Sequence, residues 1–180
     1  MAVAAPPLMK ATPIADAIES LCPKCGLCCN GVLFADGELQ RSDRTAWLEQ
    51  LGLAIFRQGG KRRFAQPCAC FDGRRCSIYA NRPANCAAFE CGVLQRLVAG
   101  KLSAAAARKT IGLARRKFQT LERHLQKSPG DDPALPLSHR YGAAMRAPVD
   151  LAQPGGAGPH GRLLRSMETL MVLLQTEFLR

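Results

Sequence analysis

The chain has 180 residues, with 25 Lys and Arg against 14 Asp and Glu and a formal net charge of +11. A chain of this length suits one domain with an appendage. No apolar stretch approaches the ~20 residues of a membrane-spanning helix, so the sequence predicts no transmembrane segment. The first residues do not have the pattern of a secretory leader, and we therefore expect a cytoplasmic protein.

The positive charge is larger in the second half of the chain. Residues 1–100 carry twelve Lys and Arg against eight Asp and Glu, whereas residues 101–180 carry thirteen against six. A basic surface attracts polyanions such as RNA, DNA, anionic lipid or acidic proteins. The alternative is a solvated arginine-rich surface without a dedicated partner, which the lack of interleaved aromatic residues favours.

The first elements lead into a group of cysteines. Residues 1–13 are rich in Ala and Pro, and we expect them to be disordered. The pattern from Ile14 to Leu21 predicts a short helix. A C-x2-C-x2-C-C motif follows directly, made of Cys22, Cys25, Cys28 and Cys29.

The spacing of these cysteines is typical of metal ligands. A two-residue gap lets successive sulfurs converge on one ion or cluster. All nine cysteines lie between residues 22 and 91, whereas inert core cysteines would be spread more evenly. Disulfides are a further alternative, but they need an oxidising compartment. The pattern therefore favours metal binding, by zinc or by an iron–sulfur cluster.

Short strands and short helices are predicted between the motif and residue 100. Val32–Phe34 is predicted as a strand, and the pair Gly59-Gly60 predicts a β-hairpin with strands at 53–58 and 61–66. Cys86 and Cys91 are five residues apart, which on an unbroken helix turns their side chains roughly 140° from each other. Both sulfurs face one centre only if the helix breaks between them.

The order of these motifs resembles the YkgJ-type CxxCxxCC family, which is described as zinc- or iron-chelating. The resemblance rests on the C-x2-C-x2-C-C motif followed by Pro67-Cys68, Cys76-Ser77-Ile78-Tyr79, Arg82-Pro83, Cys86 and Cys91. It implies a metal site built from eight cysteines, which are Cys22, Cys25, Cys28, Cys29, Cys68, Cys76, Cys86 and Cys91. Two positions depart from the family pattern: Cys70 replaces an aromatic or aliphatic residue, and Ala87 replaces a basic one.

Eight thiolates exceed one tetrahedral site, so two zinc ions or one iron–sulfur cluster with thiols to spare are both compatible with the sequence. Adjacent side chains diverge, so Cys28 and Cys29 are expected to serve different centres, or one of them to stay free. The histidines are distant in sequence and are not expected to be ligands; they are His124, His139 and His160.

The sequence leaves two classes of function open. No nucleophile–base constellation and no phosphate-binding loop is present. One class is a metal-binding protein without catalytic activity, whose physiological role is undefined. The other is a redox or metal-dependent enzyme that uses an iron or iron–sulfur centre as its cofactor.

Helices dominate the rest of the chain. Ser103 is predicted to cap a basic amphipathic helix within 101–127, whose apolar seam indicates docking within the chain rather than a coiled-coil dimer. Its seven Lys and Arg against one Glu, from Ser103 to Lys127, predict a weak, salt-sensitive affinity for polyanions. Residues 128–161 are dense in Pro and Gly and are predicted as a linker, and 162–180 as a last helix with an apolar stripe.

The complete pattern predicts an α+β fold. A small metal-stapled cysteine-rich domain at 14–100, with short strands or a hairpin, is followed by the long helix, the Pro/Gly linker and the last helix. The apolar core of the cysteine-rich part is small, so we expect a metal to supply much of its stability.

Overall fold

The computed structural model of the protein describes residues 13–148 and 158–179. Expectations for residues 1–12 and for 149–157 lie outside the described residues. The fold combines helices with one three-stranded antiparallel sheet, which confirms the predicted α+β class. None of the helices in the described ranges is both long enough and apolar enough to cross a membrane.

Seven helices and three strands make up the described chain. The helices are α1 (Pro13–Cys25), α2 (Thr45–Gln50), α3 (Ala84–Ala88), α4 (Gly92–Val98), α5 (Ala104–Leu125), α6 (Leu137–Arg146) and α7 (Pro159–Glu177). The strands are β1 (Asp36–Glu38), β2 (Ile55–Gln58) and β3 (Lys61–Ala65), and a 3-10 turn lies at Tyr79–Asn81.

The predicted hairpin is present and forms most of the sheet. β2 and β3 pair antiparallel, with Gln58 opposite Lys61, and β1 pairs with the other edge of β3. Gly59 and Gly60 have φ angles of 57° and 75°. A residue with a side chain would be strained at these angles, so glycine suits this two-residue turn.

The strand predicted at Val32–Phe34 is wrong, because the backbone there is engaged in local turns. Val32 N donates to Asn30 Oδ1 at 3.2 Å, and Leu33 N donates to Leu27 O at 3.0 Å. These bonds close the loop after the cysteine motif. The first strand therefore begins only at Asp36.

The helical part has the larger of two apolar cores. The apolar seam of α5 faces inward and packs against α7, with Leu121, Leu125, Leu170 and Leu174 almost fully buried. In this structure the two helices therefore pack on each other within the chain. The smaller core lies beside the sheet and contains Leu39, Leu48, Leu53, Phe64 and Cys70.

A helix, α6, occupies part of the segment that the sequence predicts as a linker. Arg140 of α6 is buried and donates two hydrogen bonds to Asp131, at 2.9 and 2.8 Å. The start of α6 is fixed by Leu137 N, which donates to Gly31 O at 3.0 Å. The sequence pattern did not predict this helix because only Leu137, Arg140 and Ala144 of its ten residues are buried, which leaves no long apolar stripe.

Candidate metal centre

All eight cysteines that the resemblance implies as ligands lie along the wall of one cavity of about 270 Å³. They come from the end of α1, the turn after it, the loops after β3, helix α3 and the start of α4. The ninth cysteine, Cys70, does not line this cavity and is buried in the smaller core. All nine are free thiols.

The cysteine motif is half helix and half turn. α1 continues past its predicted end at Leu21, so that Cys22 and Cys25 lie one turn apart on its last turn. Gly26 ends the helix with a φ of 76°. Its carbonyl oxygen accepts hydrogen bonds from Cys29 N and Asn30 N at 2.9 and 2.8 Å. The turn places Cys28 and Cys29 beside the helix end.

Replacing Gly26 with alanine is expected to disrupt the site. A methyl group there overlaps the ring of Phe71, and the positive φ adds strain of about 1–3 kcal/mol. Gly73→Ala is the matched control, since Gly73 has a φ of 86° and nothing within 4 Å of the added carbon. Thermal unfolding and bound metal per chain should both fall further for Gly26→Ala. Equal losses in the two variants would contradict a role for the Phe71 contact.

Backbone hydrogen bonds bring the later cysteines to the motif. Cys68 N donates to Cys29 O at 2.7 Å, and Cys76 N donates to Pro23 O at 3.0 Å. Asp72 orders the intervening turn, because its Oδ1 accepts from Arg74 N and Arg75 N. The segment that follows the hairpin therefore places Cys68 beside the motif.

The chain between Cys86 and Cys91 leaves the helical conformation, as the spacing requires. α3 ends at Ala88, and Phe89 is extended, with φ −74° and ψ 122°. Cys91 is the N-cap residue of α4. The ring of Phe89 packs edge-on against Phe34, with centroids 5.0 Å apart. This break allows both sulfurs to line the same cavity.

Four of the sulfurs receive hydrogen bonds from backbone N–H groups. Leu27 donates to Cys25, Cys70 to Cys68, Ile78 to Cys76, and both Val93 and Leu94 to Cys91. Such donors stabilise the thiolate over the thiol. Since the thiolate is the form that binds metal, the backbone is arranged to favour ligation.

Burial and mutual crowding disfavour negative charge on most of the thiols. Burial raises the pKa of Cys25 and Cys86 to about 11, and that of Cys68 to about 12. The hydrogen bond between the thiols of Cys29 and Cys76 raises the pKa of Cys29 and lowers that of Cys76 to about 6. A cation in the cavity would offset the repulsion between thiolates, and its binding would release protons.

Tyr79 and Arg82 stand at the edge of the cavity. The Arg82 guanidinium lies 3.8 Å from the centre of the Tyr79 ring, and its Nε donates to Cys86 O at 3.2 Å. Tyr79 is hydrogen-bonded to the Cys22 thiol, and burial raises its pKa to about 12. Tyr79 therefore both packs over the site and contacts a sulfur. The sequence did not predict that Arg82 lies beside the thiols, although the Arg82-Pro83 dipeptide is one of the motifs that carry the resemblance.

The thiols surround the cavity without forming a closed coordination shell. In the two described ranges, no group of three or more His, Cys, Asp or Glu side chains is assembled so that it could hold a metal ion. The three histidines do not line the cavity. His124 instead lies 2.9 Å from Ser166 Oγ, between α5 and α7.

A family model described as "CxxCxxCC: Putative zinc- or iron-chelating domain" matches residues 21–110. The match includes all nine cysteines and the first turns of α5. No curated protein and no solved structure matches the chain.

Proposed function

Because the chain belongs to the CxxCxxCC family of zinc- or iron-chelating domains, we propose that its function is to bind zinc or iron through eight cysteines of one cavity. These are Cys22, Cys25, Cys28, Cys29, Cys68, Cys76, Cys86 and Cys91. The observation that carries the proposal is the common cavity, to which five separate parts of the chain contribute thiols.

The donor chemistry of the cavity fits zinc and iron better than magnesium or calcium. Thiolates suit zinc and iron–sulfur centres, whereas magnesium and calcium require oxygen ligands. Asp36 is the acidic residue of the cavity wall, and its carboxylate is held by Arg63 Nε at 2.6 Å.

Metal analysis of the protein, purified without oxygen, tests this function. We expect zinc or iron to be bound, and each serine substitution among the eight cysteines to lower the bound metal per chain. Cys70→Ser is the matched control, because Cys70 is a buried thiol outside the cavity. A loss at Cys70 as large as that at Cys25 would contradict the assignment of the eight ligands.

A redox or metal-dependent enzyme is the second candidate function. It is favoured by the apolar part of the cavity wall, where Leu33, Phe34, Phe89 and Leu94 leave space beside the thiols. An anaerobic absorption spectrum separates the candidates. Zinc is d¹⁰ and leaves the protein colourless, whereas an iron–sulfur centre would be brown and would change colour on reduction.

The outer face of α5 is proposed to bind polyanions weakly. Arg108, Lys109 and Arg116 are exposed, and no acidic side chain among the described residues pairs with them. Arg115 differs, because its Nη1 donates to Lys24 O at 3.0 Å and ties α5 to the end of α1.

Neutralising Arg108, Lys109 and Arg116 together with glutamine is expected to weaken binding to RNA or anionic vesicles and to reduce its salt dependence. Three lost phosphate contacts correspond to a decrease of roughly 2–3 in the slope of log K against log salt. Titrations at several salt concentrations measure both quantities. Unchanged binding in the triple variant would mean that this face is only solvated.

A further inference from the structure

We infer that the eight cysteines form two separate four-sulfur centres, each binding one metal ion, which presupposes that these thiols bind metal as proposed above. The first centre consists of Cys22, Cys25, Cys28 and Cys91. The second consists of Cys29, Cys68, Cys76 and Cys86. The division follows from which parts of the chain hold the sulfurs together.

The first centre lies where the end of α1 meets the start of α4. Cys22 and Cys25 are on the last turn of α1, Cys28 follows Gly26, and Cys91 is the N-cap of α4, which packs on α1. Every pair of sulfurs within this set is close enough to interact electrostatically. The four therefore form one neighbourhood around the helix ends.

The second centre lies where the hairpin exit, the turn before the 3-10 segment and α3 meet. Cys29 and Cys76 share a thiol–thiol hydrogen bond, and Cys68 N is bonded to Cys29 O at 2.7 Å. Cys86 of α3 interacts with Cys68 and Cys76, and its interaction with Cys76 is stronger than that with Cys22 of the first set. Apart from Cys29, which shares the turn after α1 with Cys28, these sulfurs lie on elements that the first centre does not use.

Cys28 and Cys29 mark the boundary between the two centres. They are adjacent in sequence and interact with each other, yet Cys28 interacts more strongly with Cys25, Cys22 and Cys91 than with Cys86 of the second set. Cys29 interacts most strongly with Cys76 and also with Cys68. If Cys28 and Cys29 bind different ions, neither side chain has to turn toward the ion of the other. Both residues can then belong to one motif.

Each set has the same supporting chemistry. Two sulfurs of each receive backbone N–H donors: Cys25 and Cys91 in the first, Cys68 and Cys76 in the second. Each set also has one arginine at electrostatic range. Arg115 acts on Cys25, and Arg82 acts on Cys76 and Cys86.

The charge of each arginine suits a four-thiolate site. A divalent ion held by four thiolates carries a net charge of −2, and the thiol protons leave to solvent when the ion binds. A nearby guanidinium offsets part of that negative charge. One arginine near each set is compatible with two independent centres.

Cobalt titration of the metal-free, reduced chain without oxygen tests the division, because Co²⁺ in a four-thiolate site absorbs strongly. The parent and Cys70→Ser should each bind two equivalents of Co²⁺. A double serine variant within one set, Cys25→Ser with Cys91→Ser or Cys68→Ser with Cys76→Ser, should bind one equivalent. The variant Cys25→Ser with Cys68→Ser, which spans both sets, should bind none in four-thiolate geometry.

Other outcomes separate this division from metal binding itself. Loss of all cobalt in both within-set variants, or one equivalent retained in the variant that spans the sets, would overturn the two centres while leaving metal binding intact. A parent that binds one equivalent would do the same. No cobalt, zinc or iron bound by the parent would instead refute the proposed function.

A second measurement avoids variants that fold poorly. With one equivalent of Co²⁺ on the unsubstituted chain, brief alkylation and mass spectrometry should find molecules in which the four cysteines of one set are protected and those of the other are modified. Protection of a mixed group, such as Cys25 with Cys68, would overturn the division.

Discussion

Removal of the metal is expected to unfold the hairpin, α3 and the loops that hold the thiols, while α5 and α7 stay paired. The apolar core beside the sheet is small, and consists of Leu39, Leu48, Leu53, Phe64 and Cys70. Structural zinc contributes an apparent binding free energy of about 10–16 kcal/mol in small domains. This amount is comparable to the whole stability of an ordinary domain, which is about 5–15 kcal/mol.

Amide hydrogen exchange before and after chelation measures this effect region by region. Protection should be lost at β2, β3 and α3, and retained where Leu121 and Leu125 of α5 pack against Leu170 and Leu174 of α7. Protein kept with reductant but without chelator is the control for oxidation of the thiols. Unchanged protection of the hairpin, after analysis shows that the metal is gone, would contradict the dependence of this part of the fold on metal.

Features encoded by short segments could be predicted from the sequence. Gly59-Gly60 identified the hairpin, the spacing of Cys86 and Cys91 required a break, and Ser103 caps α5 by accepting a hydrogen bond from Ala106 N. In each case the decisive interaction joins residues a few positions apart. Local conformational preferences are sufficient at such places.

Features that depend on distant partners were not predicted. α6 is held by the ion pair of Arg140 with Asp131 and by a backbone bond to Gly31. The common cavity that collects the eight cysteines also depends on which loops the fold brings together. The position of Phe178 in the cavity wall was not predicted either, because the apolar stripe of the last helix does not indicate which surface it covers.

Phe178→Ala is expected to weaken metal binding as well as the fold, although Phe178 lies far outside residues 21–110. Its ring is 2 % exposed and lines the cavity, so truncation leaves a void beside the thiols. Loss of a buried phenylalanine costs about 3–5 kcal/mol, which lowers the melting temperature by roughly 6–20 °C in a domain of this size.

The effect on the metal follows from the position of Cys91. Gly92 N donates to Phe178 O at 2.9 Å, so the end of α7 is joined to the first residue of α4, directly after Cys91. A looser α7 end frees the N-terminus of α4 and with it the N–H groups of Val93 and Leu94 that point at the Cys91 sulfur. Competition for the metal with a chelator of known affinity should therefore show weaker binding in Phe178→Ala.

Leu179→Ala is the matched control, since Leu179 is the next residue and 44 % exposed. Its expected effect on stability is within about 0.5 kcal/mol, as for most surface substitutions. If Phe178→Ala lowers the melting temperature but holds metal as tightly as the parent, α7 stabilises the fold without shaping the centre. If it loses affinity while Leu179→Ala does not, the last helix is part of the metal site's wall, and residues 21–110 alone do not complete that site.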